Sequence, residues 1–291
     1  MKIQSLSLAV PAGCINDCKF CVAKIHRGTY VNQLDCNKPF YDLYLEDYER
    51  RLQFARDNGC NIVMITGDGE PLLNRRYLET FSMINKKMQS PFRWIELQTS
   101  GVTLDRNYLR FLRNTVWVNT ISLSLSDIFS SSNNALINGT KQGFEIDIDE
   151  LCNYIKEYDF TLRLSLNMTD TYDNSPVDKI FERAKQLHAD QITFRVLYFS
   201  NKNTVEDKWI KKHKCGIKKI NEINSYIKKN GNKLRKLEFG ASVYSVDGMS
   251  VVLDDDCMGA DVKDSNIVKY LILRPDCKLY SHWDDTGSLI F

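Results

Sequence analysis

The chain has 291 residues, 43% of them hydrophobic and 26% charged. That is room for one large domain or two small ones, with a core that needs no disulfides. Thirty-nine Lys and Arg face 37 Asp and Glu, a net charge of +2, so no global field holds nucleic acid, which is disfavoured as a partner. No apolar run approaches the ~18 residues of a membrane span, and the opening MKIQSLSLAVPAGC lacks a cleaved-signal pattern.

Strand and helix patterns alternate along the chain. Ile3 to Val10 reads as a strand, followed by a cysteine-bearing loop. Tyr41 to Asn58 has helical spacing (Leu43, Leu45, Tyr48, Leu52, Ala55) and stops at Gly59. Asn61 to Thr66 is a short buried strand, and Arg76 to Met88 is helical. Phe92 to Thr99 is a strand, Arg106 to Arg113 a short helix and Val116 to Ser124 a strand. Ser130 to Asn134 (SSSNN) reads as an exposed loop. Asp147 to Tyr158 is a helix with acids in its first turn, Phe160 to Met168 a strand and Val177 to His188 a helix. Gln191 to Leu197 is a strand, and helices cover Glu206 to Asn230.

Six strand–helix repeats with short strands predict an α/β fold with a parallel sheet under helices. Six units fall short of the eight in a closed barrel, so residues 1–238 are expected to form an open, partial (β/α)6 TIM-like barrel. Functional residues belong on the segments that follow each strand. Residues 239–291 change character: strands at Ala241 to Val246, Ser250 to Leu253, Ile267 to Arg274 and Lys278 to Tyr280 are joined by turns at Asp247-Gly248 and Pro275-Asp276. They are expected to be a small β-rich extension covering the barrel mouth.

Three of the nine cysteines, Cys14, Cys18 and Cys21, crowd into eight positions after the first strand. In a chain without a secretory pattern such a cluster points to a metal or redox site and to the reducing cytoplasm. Three thiolates on one loop suit three corners of a [4Fe–4S] cluster, with the fourth iron left open; electron carriers use four cysteines. The alternative is a non-catalytic zinc module, with His26 as fourth ligand. Zinc spacings usually come as two Cys pairs, and no second pair is present.

The spacing CINDCKFC, with Phe20 before the third cysteine, resembles the radical S-adenosylmethionine (SAM) superfamily. Gly67-Asp68-Gly69-Glu70-Pro71 after the second strand is similar to that family's Gly-Gly-Glu-Pro motif. Leu97 to Gly101 is similar to its Glu-Thr-Asn-Gly, and Ile121 to Ser126 also fits. The resemblance covers Ile3 to about Tyr198.

The resemblance implies that Cys14, Cys18 and Cys21 hold a [4Fe–4S] cluster and that SAM binds beside it. It further implies contacts to SAM from the Phe20 backbone, from Gly67, Asp68, Gly69 and Glu70, from Ser122, Ser124 and Asn167, and from Leu197 on the adenine. Asp68 stands where the family often has Gly; Asp tolerates turn conformations. Ser122 and Ser124 face one side of their strand. The implied activity is reductive cleavage of SAM to a 5′-deoxyadenosyl radical that removes hydrogen from a substrate.

Cys60 and Cys152 read as buried apolar residues, Cys36 lies after the cluster loop and Cys215 in a basic helix. Cys257, Cys277 and Leu273 to His282 look like a degraded C-terminal extension of peptide-modifying family members, with Cys277 at the turn glycine and Ser281-His282 in place of Pro-Cys. No second cluster is expected there. This favours a peptide or amino-acid side chain as substrate; a nucleotide or small metabolite is the alternative. An electron donor, a reductase or flavodoxin-like protein, is the expected partner, and no membrane is. Glu206 to Lys236 holds eleven Lys or Arg against three acids, read as a solvated helix face. Asp254 to Asp256 and Asp284-Asp285 read as surface groups or as contacts to a basic substrate.

Overall fold

The computed structural model describes residues 2–25, 44–237, 241–254, 266–283 and 285–291. The expectations placed on His26, Cys36, Asp255, Asp256, Cys257 and Asp284 lie outside them. The elements run β1 (Lys2–Ile3), β2 (Leu6–Gly13), α1 (Val22–Ile25), α2 (Leu45–Asp57), β3 (Ile62–Gly69), α3 (Arg75–Lys87), β4 (Trp94–Thr99) and α4 (Arg106–Phe111). They continue with β5 (Thr120–Leu125), α5 (Ser131–Asn138), α6 (Ile148–Glu157), β6 (Thr161–Met168), α7 (Val177–Gln186), β7 (Gln191–Val196), α8 (Val205–His213) and α9 (Ile217–Asn230). The last strands are β8 (Asn232–Lys236), β9 (Ser242–Val246), β10 (Met249–Asp254), β11 (Ile267–Val268), β12 (Leu271–Leu273) and β13 (Leu279–Tyr280).

One sheet of eleven strands, in the order β13-β12-β2-β3-β4-β5-β6-β7-β10-β9-β8, organises the molecule; β1 and β11 pair separately. The run from β12 to β10 is parallel throughout. The six strands of the repeats are therefore flanked on each side by one parallel strand from beyond residue 239. The C-terminal segment is not a separate layer: β10 and β9 extend one edge of the sheet, and β12 and β13 extend the other. Among the described residues the two outer strands, β13 and β8, do not pair, so the barrel stays open.

Side chains alternate across each strand. Val63 and Ile65, Ile95 and Leu97, Ile121 and Leu123, Leu162 and Leu164, and Ile192 and Phe194 join the core under the helices. The helices return matching stripes: Tyr48, Leu52 and Ala55 on α2, Phe81 and Ile84 on α3, Ile180, Phe181 and Ala184 on α7. The opposite face of the strands is polar. Glu96 takes an ion pair from Arg163 and a hydrogen bond from Gln98 Nε2 at 3.0 Å. Arg163 Nε donates to Gln191 Oε1 at 2.7 Å, and Arg195 lies 3.6 Å from Asp254.

Two segments differ from the sequence expectation. The SSSNN stretch is not a loop but the start of α5. Ser130 caps it by accepting from the Asn133 amide, and Asn134 and Asn138 are buried because they bond to Ser126. Residues 232–236 form the edge strand β8, with all five residues exposed. Its lysines and arginine are a common edge protection against further pairing.

Candidate SAM and cluster site

β2 delivers its chain end at Gly13, and Cys14 follows. Asp17 fixes the loop: its amide donates to the carbonyls of Asn138 (3.1 Å) and Gly139 (3.0 Å), and its carboxylate takes Lys19 and Lys24. Lys24 also donates to the Cys18 carbonyl at 3.2 Å. Cys21 opens α1, its carbonyl accepting from the amides of Lys24 and Ile25. Cys14, Cys18 and Cys21 are free thiols. Burial pushes the Cys14 thiol up, and burial together with the two neighbouring thiols pushes Cys18 up.

The turn after β3 is pressed onto this loop. Gly67 has φ +133, and a Cβ there would lie 2.5 Å from the Val10 amide nitrogen. A Cβ on Gly69 would lie 2.5 Å from the Gly13 carbonyl oxygen. Both positions require glycine for close backbone approach. The Glu70 amide then donates to the Gly13 carbonyl at 2.8 Å. The Glu70 side chain is buried (3% exposed). Its Oε1 accepts from Thr99 Oγ1 (2.6 Å) and the Leu72 amide (3.2 Å), and its Oε2 from the Ser100 amide (3.0 Å) and Oγ (2.7 Å). Burial raises its pKa, and the Thr99 and Ser100 hydrogen bonds oppose the rise.

A cavity of about 240 Å³ lies between loop and turn, at the C-terminal ends of the strands. It brings together Cys14, Cys18, Cys21, Phe20, Gly69, Glu70, Ser124, Asn167 and Leu197. Phe20 and Leu197 share one apolar cluster with Ile25, Ile210 and Trp209. Gly67, Asp68 and Ser122 do not line it. Gly67 is spent on the backbone contact, Ser122 is buried one pleat deeper on β5, and the Asp68 carboxylate pairs with Arg274 at 2.8 Å.

Asn16, Asn138 and Arg195, on which sequence reasoning is silent, also line the cavity, as do Gln98, Thr99 and Ser100 of the motif-like Leu97 to Gly101 stretch, to which it assigned no contact. The strand-end position of Gln98 to Ser100 was the available signal. Asn138 needed α5 to be recognised: it receives Ser126 Oγ at 2.6 Å, and Ser126 in turn receives Asn167 Nδ2 at 3.3 Å. The Oδ1 of Asn16 is buried at the cavity and accepts no hydrogen bond from the described residues.

Elsewhere, Cys277 occupies its turn with φ +62, the left-handed conformation that glycine adopts freely. His282 bonds Ser281 at 2.9 Å. Among the described residues no group of three or more His, Cys, Asp or Glu side chains is placed to share one metal ion. Lys211, Lys212, Lys218, Lys228 and Lys229 are exposed. No described helix is long and apolar enough to cross a membrane.

The donor set fits an iron–sulfur cluster and a bound cosubstrate: three free thiols form one wall, and a buried carboxylate turn, an unused amide oxygen and an apolar patch form the others. The fold is similar to native anSMEcpe with bound AdoMet, at a TM-score of 0.61 and 13% identity over 98% of this chain and 75% of that one. It is also similar to SuiB of Streptococcus suis, alone (TM-score 0.58, 14% identity) and bound to S-adenosylmethionine (TM-score 0.57, 14% identity). Both SuiB comparisons cover 96% of this chain and 60% of that one, so the chain spans less than two thirds of SuiB. No curated protein matches the sequence significantly. The model of the radical SAM superfamily matches residues 8–172. On that match, over more than half its length, the chain belongs to the radical SAM superfamily.

Proposed function

We propose that the chain is a cytoplasmic radical SAM enzyme acting on a peptide or amino-acid side chain. The observation that carries this reading is the single cavity that joins three free thiols to the Glu70 turn and to Ser124, Asn167 and Leu197. Cys14, Cys18 and Cys21 would hold a [4Fe–4S] cluster, and the rest of the cavity would hold SAM. Cluster and SAM together supply reductive generation of a 5′-deoxyadenosyl radical that takes a hydrogen atom from the substrate.

The protein's own task is to bind, orient and keep water out. The turn through Gly69 and Glu70 lines the cavity together with Cys14. Glu70 holds its carboxylate with four internal hydrogen bonds, so the turn is organised before any ligand arrives. Phe20 and Leu197 offer an apolar wall for a flat base. Ser124, Asn167 and the Oδ1 of Asn16 are polar groups for a ribose and for the amino and carboxylate groups. The polar inner face with Glu96, Gln98, Arg163 and Arg195 suits a hydrogen-bonding substrate better than an apolar one. The C-terminal segment, similar in pattern to that of peptide-modifying members, supports the peptide class. An external reductase or flavodoxin-like protein would supply the electron.

Anaerobic purification tests the reading. The protein should carry about four irons per chain and, with SAM and a strong reductant, release 5′-deoxyadenosine. Cys18→Ala should lose both. One zinc per chain and no iron would overturn the proposal.

A further inference from the structure

Asp68, absent from the cavity wall, leads in another direction. Arg274 Nη1 donates to its Oδ2 at 2.8 Å, and Arg274 Nη2 donates to the Trp283 carbonyl at 2.7 Å. The Arg274 side chain is fully buried, with its guanidinium 5.1 Å from the Trp283 ring centre and 5.7 Å from that of Tyr280. β2 lies between β12 and β3, so this side chain crosses over β2 to reach its partner. The register pairs Leu273 with Leu8, and one step further places Arg274 beside Ala9. A methyl group there leaves room for the guanidinium, and Ala9 packs with Ile272, Tyr280 and Trp283.

The other end of the connection is stiff. Asp68 sits between two glycines whose backbones touch Ala9, Val10, Pro11 and Gly13. Glu70 is tied to Gly13 by its amide. Any force on Asp68 is therefore felt by the backbone that enters Cys14 and by the turn that carries Glu70.

We propose that Arg274 is a positioning residue for the cofactor turn. It acts through Asp68, so that the C-terminal hairpin of residues 271–283 and SAM binding are energetically coupled. This rests on the reading that the cavity takes SAM. Coupling is reciprocal: if the hairpin holds the turn in its binding geometry, bound SAM must in turn steady the hairpin.

Hydrogen–deuterium exchange on the cluster-loaded full chain, with and without SAM and under anaerobic conditions, tests this. In the wild type, SAM should slow exchange both in residues 64–73 and in residues 271–283. In Asp68→Asn, slowing should persist in 64–73 and vanish in 271–283, with the SAM Kd raised about tenfold, the size of effect typical of groups supporting a metal site. Arg274→Lys keeps the charge but loses the two-pronged geometry and should behave alike. A merely structural contact would lower the melting temperature yet leave the SAM response of the hairpin intact. Slowing at 64–73 without slowing at 271–283 in the wild type overturns the coupling while leaving the cofactor reading standing. Slowing at neither overturns both. If the variants fail to fold, the wild-type comparison alone decides.

Discussion

Thr99 Oγ1 donates to Glu70 Oε1 at 2.6 Å and itself accepts the Gly101 amide at 3.0 Å. One hydroxyl thus joins the turn after β3 to the turn after β4, and it does so in a buried place. Thr99→Val keeps the shape but deprives both partners. The loss should be about 1.5–3 kcal/mol of unfolding free energy, the usual range for a hydrogen bond to a charged group. Thr99→Ser should recover most of it. Urea unfolding of the three proteins, with an unchanged m-value, is the check.

Gly69→Ala should do more damage than its size suggests. The new methyl would meet the Gly13 and Pro11 carbonyl oxygens at 2.5 and 2.6 Å. Both are backbone and cannot swing aside, so the turn must lift off the loop. A loss of about 3 kcal/mol, at the upper end for overpacking, is expected. Gly143→Ala is the control. Its Cβ meets nothing within 4 Å, so only the strain of its left-handed backbone (φ +84) remains, about 1 kcal/mol. Thermal melts that rank the two the other way would discard this account of the turn.

Asp207 organises the chain just after Leu197 and Tyr198. It accepts from the Ser200 amide (2.9 Å) and Oγ (2.7 Å), the Lys202 amide (3.0 Å) and the Thr204 amide (3.2 Å), and it closes a capping box with Thr204. Burial by itself would raise its pKa; the hydrogen bonds from Ser200, Thr204 and Lys202 prevail and hold it below the ordinary value. The folded chain therefore releases this proton more readily than the unfolded chain. The stabilisation is complete above the unfolded carboxylate range, near pH 4, and fades as pH falls through the lower folded value. Asp207→Asn should lower stability at neutral pH and flatten the acid limb of the stability profile below about pH 4. Denaturant midpoints measured from pH 7 down to pH 3 show whether it does.

Much of the site was legible because its parts are local. The Cys14–Cys21 spacing and the Gly67 to Pro71 run each fold within one turn, and each follows a strand whose pattern is plain. The same holds for Ser124, Asn167 and Leu197, which sit at or near strand ends. What stayed hidden depends on distant partners. Asp68 reads as a turn residue until Arg274, 206 positions away, is brought beside it. The asparagines of α5 look like a polar loop because their burial is satisfied by Ser126, which the sequence does not announce. The polar inner face escaped because Asn61 to Thr66 was read as buried on both sides, whereas Met64 and Thr66 turn toward the half-open interior. β8 escaped because five exposed, mostly basic residues carry no apolar alternation.

The neighbour that β2 gains on its outer side is β12, paired Leu6 to Leu271 through Leu8 to Leu273. A ribosome releases the first of these strands more than 260 residues before the second. Throughout that interval the segment leading into Cys14 has a bare flank, with neither its companion strand nor the guanidinium that crosses it.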